Sequence, residues 1–218
     1  YSSQLLNDQI ELSSPRIFVR NVSVNYGNEA LVYGVQGVSY QFQRIENATM
    51  SDGRFLNYQD EQNTAKVAVI GNKIAKDVFH EIDTPIGEFI DISGIPFKIV
   101  GLFGETEDRE EERIFIPITT AQRVFNGGDK VNNLAYTLPM ANDFDEAVAN
   151  SVKFKSTLLR NLQQAHTIAP DDTNAIFVWS ALEEAKRFYS LTDNIKLFFW
   201  FVGVCTIIAG VVGVSNIM

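Results

Sequence analysis

The spacing of apolar residues changes several times along the chain, and each change marks an element. From Arg16 to Tyr26 apolar and polar residues alternate imperfectly (Ile17, Val19, Val22, Val24), which predicts a strand. Gly27 and Asn28 tolerate positive φ, and Ala30 to Val38 resumes as a second strand, so the two read as a β-hairpin. Ahead of it, Ser3 to Leu12 reads as a short helix that Ser13, Ser14 and Pro15 terminate. Behind it lies a turn region rich in Asn, Ser, Asp and Gly. Lys66 to Ile70 (KVAVI) is a short apolar strand; Gly71-Asn72 breaks it, and Ile74, Ala75, Val78 and Phe79 line one face of a helix. Pro85 and Gly87 close that unit. Glu88 to Ser93 then alternates, Gly94 turns, and Pro96 to Phe103 returns as a hairpin. Ile114 to Ile118 is another short strand. Thr119 or Thr120 is placed to cap the helix after it, with Gln122 three residues beyond Thr119 as in a capping box, and Gly127-Gly128 stops it.

Beyond Val131 to Leu138, a further strand, the period becomes 3.6. Phe144, Val148, Val152, Leu159 and Leu162 form an apolar stripe on a long helix. Ala175 to Trp179 reads as the last strand. Ser180 followed by Glu183 fits the S-x-x-E box, so a new helix begins there, with Ala181, Ala185, Phe188 and Thr192 on one face. Neither Gly nor Pro occurs between Ser180 and Trp200. The helix therefore continues as a stiff rod into the apolar run that follows, and Ser180, Glu183, Ala185 and Phe188 are the candidate coupling residues of this stalk.

That run is long. From Leu197 to Met218 there are 22 consecutive uncharged positions, with Thr206, Ser215 and Asn216 the clearly polar ones. As a helix it spans roughly 33 Å, close to the hydrocarbon thickness of a bilayer, whereas buried helices of soluble proteins rarely stay apolar so long. It lies at the C-terminal end and is too long for a signal peptide. Within it Thr206 with Gly210, and Ala209 with Gly213, place small residues four apart, the spacing that lets membrane helices approach closely. The chain opens on Tyr1 in what reads as the middle of a domain, so both ends read as cut from a longer protein.

Composition narrows the chemistry. Hydrophobic residues make up 45% and charged residues 21%, a globular balance. A formal net charge of -9 argues against nucleic-acid binding, since nothing along the chain resembles a basic stripe. Cys205 is alone and inside the apolar run, so no disulfide framework exists. His80 and His166 read as surface or capping residues, His166 near a helix C-terminus where the dipole favours a cation. Two separated histidines do not make a zinc site. Asp171-Asp172 and the charge run Glu105 to Arg113 read as solvated loops. Gly127-Gly128-Asp129-Lys130 lacks the spacing of a phosphate-binding loop, and no H-E-x-x-H, G-x-S-x-G or calcium-loop pattern occurs. The chain offers no catalytic, cofactor or metal site of its own.

Three passages, in order, resemble the MacB/FtsX family of ABC-transporter permeases. The first is Lys66 to Phe103, including Pro85-Ile86-Gly87-Glu88-Phe89-Ile90-Asp91-Ile92 and Pro96-Phe97-Lys98-Ile99-Val100-Gly101. The second is Arg113-Ile114-Phe115-Ile116-Pro117 with Thr119-Thr120-Ala121. The third is the helix ending Gly210-Val211-Val212-Gly213-Val214-Ser215-Asn216-Ile217-Met218, similar to the start of the family's second transmembrane helix.

The resemblance implies an α+β, two-lobed extracytoplasmic domain over 1–194, followed by a transmembrane helix over 195–218. One βαβ-type lobe would take about 1–38 and 131–179, an inserted strand-rich lobe about 39–130, and the stalk helix 180–194. It implies a non-catalytic permease in the bacterial inner membrane, with most of this chain in the periplasm. ATP and magnesium would be bound by a cytoplasmic ABC ATPase, fused or separate. The implied partners are that ATPase, a second permease copy, a periplasmic adaptor and an outer-membrane channel. Such permeases transmit ATP-driven motion to periplasmic partners. Drug and peptide exporters, lipoprotein-release permeases and cell-division regulators all share these features. A membrane-anchored sensor or ligand-binding domain would carry a similar helix. The sequence after Met218 separates the two: a permease requires two more apolar spans, a sensor a soluble output domain.

Overall fold

In the computed structural model, residues 9–19, 22–26, 29–79, 84–104, 112–125, 128, 130–169, 172 and 175–215 are described. The chain divides into two compact units, one of Ile10–Leu138 and a second that includes Pro139–Met218. In chain order the first contains β1 (Leu12–Val19), β2 (Ser23–Tyr26), β3 (Glu29–Val32), β4 (Gly34–Val38), α1 (Phe42–Glu46), β5 (Met50–Gly53), α2 (Tyr58–Gln62), β6 (Val67–Gly71), α3 (Asn72–Val78), β7 (Phe89–Ile92), β8 (Ile95–Phe103), β9 (Arg113–Pro117), α4 (Ile118–Val124) and β10 (Asn133–Thr137). The second contains α5 (Phe144–Ala165) and α6 (Ala181–Ser215).

The strands join in one mixed sheet of order β10-β1-β4-β9-β6-β8-β7-β2-β3, with β5 also on β8. The β4–β9 and β6–β8 pairs are parallel, and the others antiparallel. Central strands read as unbroken apolar runs because both of their faces are covered. Ile114 and Ile116 of β9 enter a core with Ile70, Ile74, Phe97 and Ile99. Phe115, between them, enters a second, aromatic core with Phe42, Phe55, Val69 and Phe103. The hairpin of β7 and β8 turns on Ser93 (φ 53) and Gly94 (φ 83), the two positive angles of a tight hairpin turn. Gly37 on β4 marks a close approach: a Cβ there would lie 2.4 Å from the Ala121 Cβ of α4.

Several sequence expectations change. Residues 1–8, most of the expected first helix, lie outside the described residues. Ser13, Ser14 and Pro15 end no helix; they lie in β1. Pro15 is tolerated because backbone N–H groups alternate sides along a strand. The Leu12 N–H points towards β10, donating to Thr137 Oγ1, while that of Ser13 points the other way, to Gln41 Oε1. The nitrogen of Pro15 shares the side of Ser13, and the β4 ladder starts only at Arg16. The stretch from Arg16 to Tyr26 is two strands: β2 makes the hairpin with β3, while β1 pairs with β4.

The turn region, expected to end at Leu56, holds the short helix α1, and a second short helix, α2, follows it. In α2, Asn57 and Asp60 form a reciprocal capping box, and Asp60 also takes a bidentate pair from Arg54 at 2.6 and 3.1 Å. Thr119 and Thr120 do not cap α4. Thr119 Oγ1 donates to the Glu61 carbonyl at 2.5 Å and Thr120 Oγ1 to the Ala65 carbonyl at 2.9 Å, serving the chain at and just past the end of α2 instead. Ala175 to Trp179 is not a strand.

Candidate functional site

No described cluster of three His, Cys, Asp or Glu side chains is placed to hold a metal ion. His80 lies outside the described residues, as do Glu105–Glu111, Gly127, Asp129 and Asp171. His166 sits at the C-cap of α5, where its N–H donates to the Leu162 carbonyl. What the second unit offers is a helix pair, and it builds up from the helix starts.

Asp143 caps α5 by accepting from the Glu146 N–H at 2.7 Å, and Glu146 turns back onto the N–H and side-chain amide of Asn142. Acidic residues in the first turns of both helices, Asp145 and Glu146 in α5 and Glu183 and Glu184 in α6, complement the dipoles. Ser180 starts α6 as expected, its Oγ accepting from the Glu183 N–H at a long 3.4 Å. The other half of the expected box is absent. The Glu183 carboxylate turns to α5, where the Lys155 ammonium donates to its two oxygens at 3.1 and 3.4 Å.

Three further contacts complete an antiparallel pairing. The Ser151 and Ser180 hydroxyls lie 2.7 Å apart, Lys186 donates to Asp145 at 3.1 Å, and the Phe144 and Tyr189 rings meet edge to face at 5.4 Å. The buried residues of α5 are Val148, Ser151, Phe154 and Leu158; of the expected stripe only Val148 is among them, with Leu159 and Leu162 half-buried and Phe144 and Val152 exposed. Ser151 hides that face from a hydropathy reading, because it is a polar residue buried on a hydrogen bond.

Of the four candidate stalk residues, Ser180 and Glu183 therefore bond to α5. Ala185 and Phe188 lie roughly 140–160° around the helix from Glu183 at about 100° per residue, and Phe188 is 68% exposed. Tyr189 takes the inward place instead. The partners on α5 (Asp145, Ser151 and Lys155) escaped the sequence reading. Glu183 and Lys186 lie three apart on α6, a helical spacing, whereas Asp145 and Lys155 lie ten apart on α5, so spacing alone would have raised only the α6 half of the two ion pairs.

Past Tyr189 the helix runs on unbroken to Ser215, and Ala181–Ala209 is long and apolar enough to cross a membrane, with none of its most apolar stretch buried. A core helix of a soluble protein would be covered; Phe199 here is 67% exposed. Each large apolar side chain left in water forgoes about 1.5–3 kcal/mol, which a hydrocarbon environment supplies. The one polar hydroxyl mid-span, Thr206, donates to the Val202 carbonyl at 2.8 Å and so needs no outside partner. Thr206 and Ala209 are exposed, and Gly210 and Gly213 lie in the same continuous helix.

Residues 3–153 match the model of the MacB-like periplasmic core domain. The chain belongs to that family. It is 29% identical over 214 residues to the pyoverdine export ATP-binding/permease protein PvdT of Pseudomonas savastanoi pv. phaseolicola, with 89% of this chain covered. It is 25% identical over 213 residues to the macrolide export ATP-binding/permease protein MacB of Mannheimia succiniciproducens, with 92% covered. The chain spans 29% and 31% of those relatives' lengths. In fold it is similar to the periplasmic region of MacB from Actinobacillus actinomycetemcomitans, with a TM-score of 0.65 at 17% identity over 76% of this chain and 73% of that one. The extracellular domain of the ABC-type transporter YknZ from Gram-positive bacteria gives 0.62 at 18% identity, over 76% of this chain and 82% of that one. The chain thus combines a mixed α/β MacB-like periplasmic core domain with one C-terminal helix able to span a membrane.

Proposed function

We propose that this chain is the motion-transmitting part of an ABC export permease in the bacterial inner membrane. A cytoplasmic ATPase binds ATP and magnesium and drives the membrane helix; the helix carries that motion to the periplasmic domain and its partners, with no catalysis or cofactor in this chain. The observation that supports the reading is α6 itself, a single helix of 35 residues, roughly 50 Å long, running without a break from its contact with α5 into an apolar span. Relatives named for the export of pyoverdine and of macrolides favour efflux as the class of transport. A periplasmic adaptor and an outer-membrane channel are the further partners proposed for it.

A second permease copy is supported by the sequence of α6. Alternating steps of four and three residues from Ala181 to Gly213 meet no charge: Ala181, Ala185, Phe188, Thr192, Ile195 and Phe199, then Val202, Thr206, Ala209 and Gly213. A 3.5-residue period is the signature of helices that coil about one another. This seam lies on the side of α6 away from Glu183, and two copies inserted in the same sense would present it to each other in register.

The test is Lys186→Pro. Proline in a helix interior removes a hydrogen bond and clashes, at a cost of about 3 kcal/mol or more. Export by the full transporter should be lost while ATP hydrolysis survives at least in part. Normal export by a variant shown to be expressed and inserted would refute the rigid-coupling reading.

A further inference from the structure

We propose that the α5–α6 contact is a releasable latch, seating the first turns of α6 against α5 and opening as the helix is driven; this rests on the motion-transmitting reading above. The first argument is the make-up of the contact. Its directional contacts are a hydroxyl pair, two ion pairs and one ring contact, and no described residue of α6 is buried. When such a contact opens, water takes over the carboxylates, ammoniums and hydroxyls, so separation leaves no orphaned polar group.

The second argument is register. Helix α5 offers Asp145 and Lys155, while α6 offers Lys186 and Glu183, with the charges crossed between them. Sliding α6 by one turn, roughly 5.4 Å, separates both pairs. The crossed charges therefore favour the seated register.

The third argument is leverage. Phe144, the first residue of α5, meets Tyr189, so the latch covers Ser180 to Tyr189, roughly 14 Å of α6, while roughly 39 Å of the same helix continues to Ser215. A lateral displacement at the far end therefore acts on the latch through an arm nearly three times as long as the latch itself. Weak contacts on the short arm are what such a lever can open.

The experiment uses the full-length permease with its ATPase in proteoliposomes, carrying Ser151→Cys and Ser180→Cys in a Cys205→Ala background. Both changes are nearly isosteric, and hydroxyls 2.7 Å apart place two thiols within reach of a disulfide. Without nucleotide the disulfide should form rapidly under mild oxidant; during ATP turnover its rate should fall several-fold. In the same background Lys155→Glu should slow the resting reaction, and adding Glu183→Lys should restore it. Equal rates with and without ATP turnover, no cross-link at rest, or no restoration by the second charge reversal would each overturn the latch. Failure of the wider reading is distinguishable: Lys186→Pro would then leave export intact, whereas a failed latch alone leaves that loss in place.

Discussion

Lys155 on α5 holds the carboxylate of Glu183 on α6, with one oxygen at 3.1 Å and the other at 3.4 Å, and so takes from Ser180 the side chain that a local capping box would have used. A signal that reads as purely local in the sequence is spent on a contact between helices. The pair is partly shielded, its side chains 31% and 23% exposed. A double-mutant cycle of Lys155→Met and Glu183→Gln, read by thermal unfolding of the protein in detergent, should give a coupling of about 0.5–1 kcal/mol at low salt that shrinks as ionic strength rises. A coupling that is absent at low salt would show that the helices are held by the remaining contacts.

Much of the sheet was legible because its central strands are short apolar runs bounded by Gly and Pro. KVAVI, EFIDIS with its Gly94 turn, and RIFIP each became strands within a residue or two of expectation. The misreadings share a cause: a polar side chain satisfied at long range. Thr119 and Thr120 looked like caps because hydroxyls before an apolar helix usually are, yet their acceptors lie 55 and more residues earlier in the chain. Pro15 looked like a terminator, and only the staggered start of the β4 ladder makes it a strand residue. At the helix pair, Ser180 and Glu183 were visible because capping is local, whereas Ser151, Lys155 and Asp145 were not, because pairing across a connection is not encoded by spacing.

Gly37 sits where β4 passes under α4, and the Ala121 Cβ occupies the space a side chain would need. Gly37→Ala should destabilise the protein by about 1–3 kcal/mol through overpacking. Ala121→Gly, itself costing about 1 kcal/mol in helix propensity, should recover part of that loss in the double variant. Denaturant unfolding of the four proteins checks it; strict additivity would mean that the two positions do not press on each other.

Burial pushes the Glu61 carboxyl above its ordinary value of 4.5, and the Tyr40 N–H, donating to Glu61 Oε2 at 3.1 Å, offsets part of the rise. A folded-state value above the unfolded one means that the folded protein binds more protons between the two. The favourable contribution is then full below the unfolded value and is lost as pH rises through the folded one. Glu61→Gln keeps an acceptor for Tyr40 and removes the charge. Its melting temperature should equal or exceed that of the parent at neutral pH, with the gap closing below about pH 4, where the parent carboxyl is itself protonated. A gap that widened in acid would show that the charge stabilises the fold.

The last prediction separates the two sides of α6. Ala209 belongs to the uncharged seam, and Val204 lies on the opposite side, roughly 140° away at about 100° per residue. Where two helices approach through small residues, a larger side chain holds the backbones apart and forfeits the close contacts that drive association in lipid, where burial of apolar area contributes little. Ala209→Leu should therefore weaken association of two copies by about 1.4 kcal/mol, or tenfold in the dissociation constant, as read by energy transfer between labelled copies in bilayers. Val204→Leu adds one methylene on the far side and should leave association unchanged. If both variants associate as the parent does, the seam faces lipid or another helix, and the second copy must pair through a different surface.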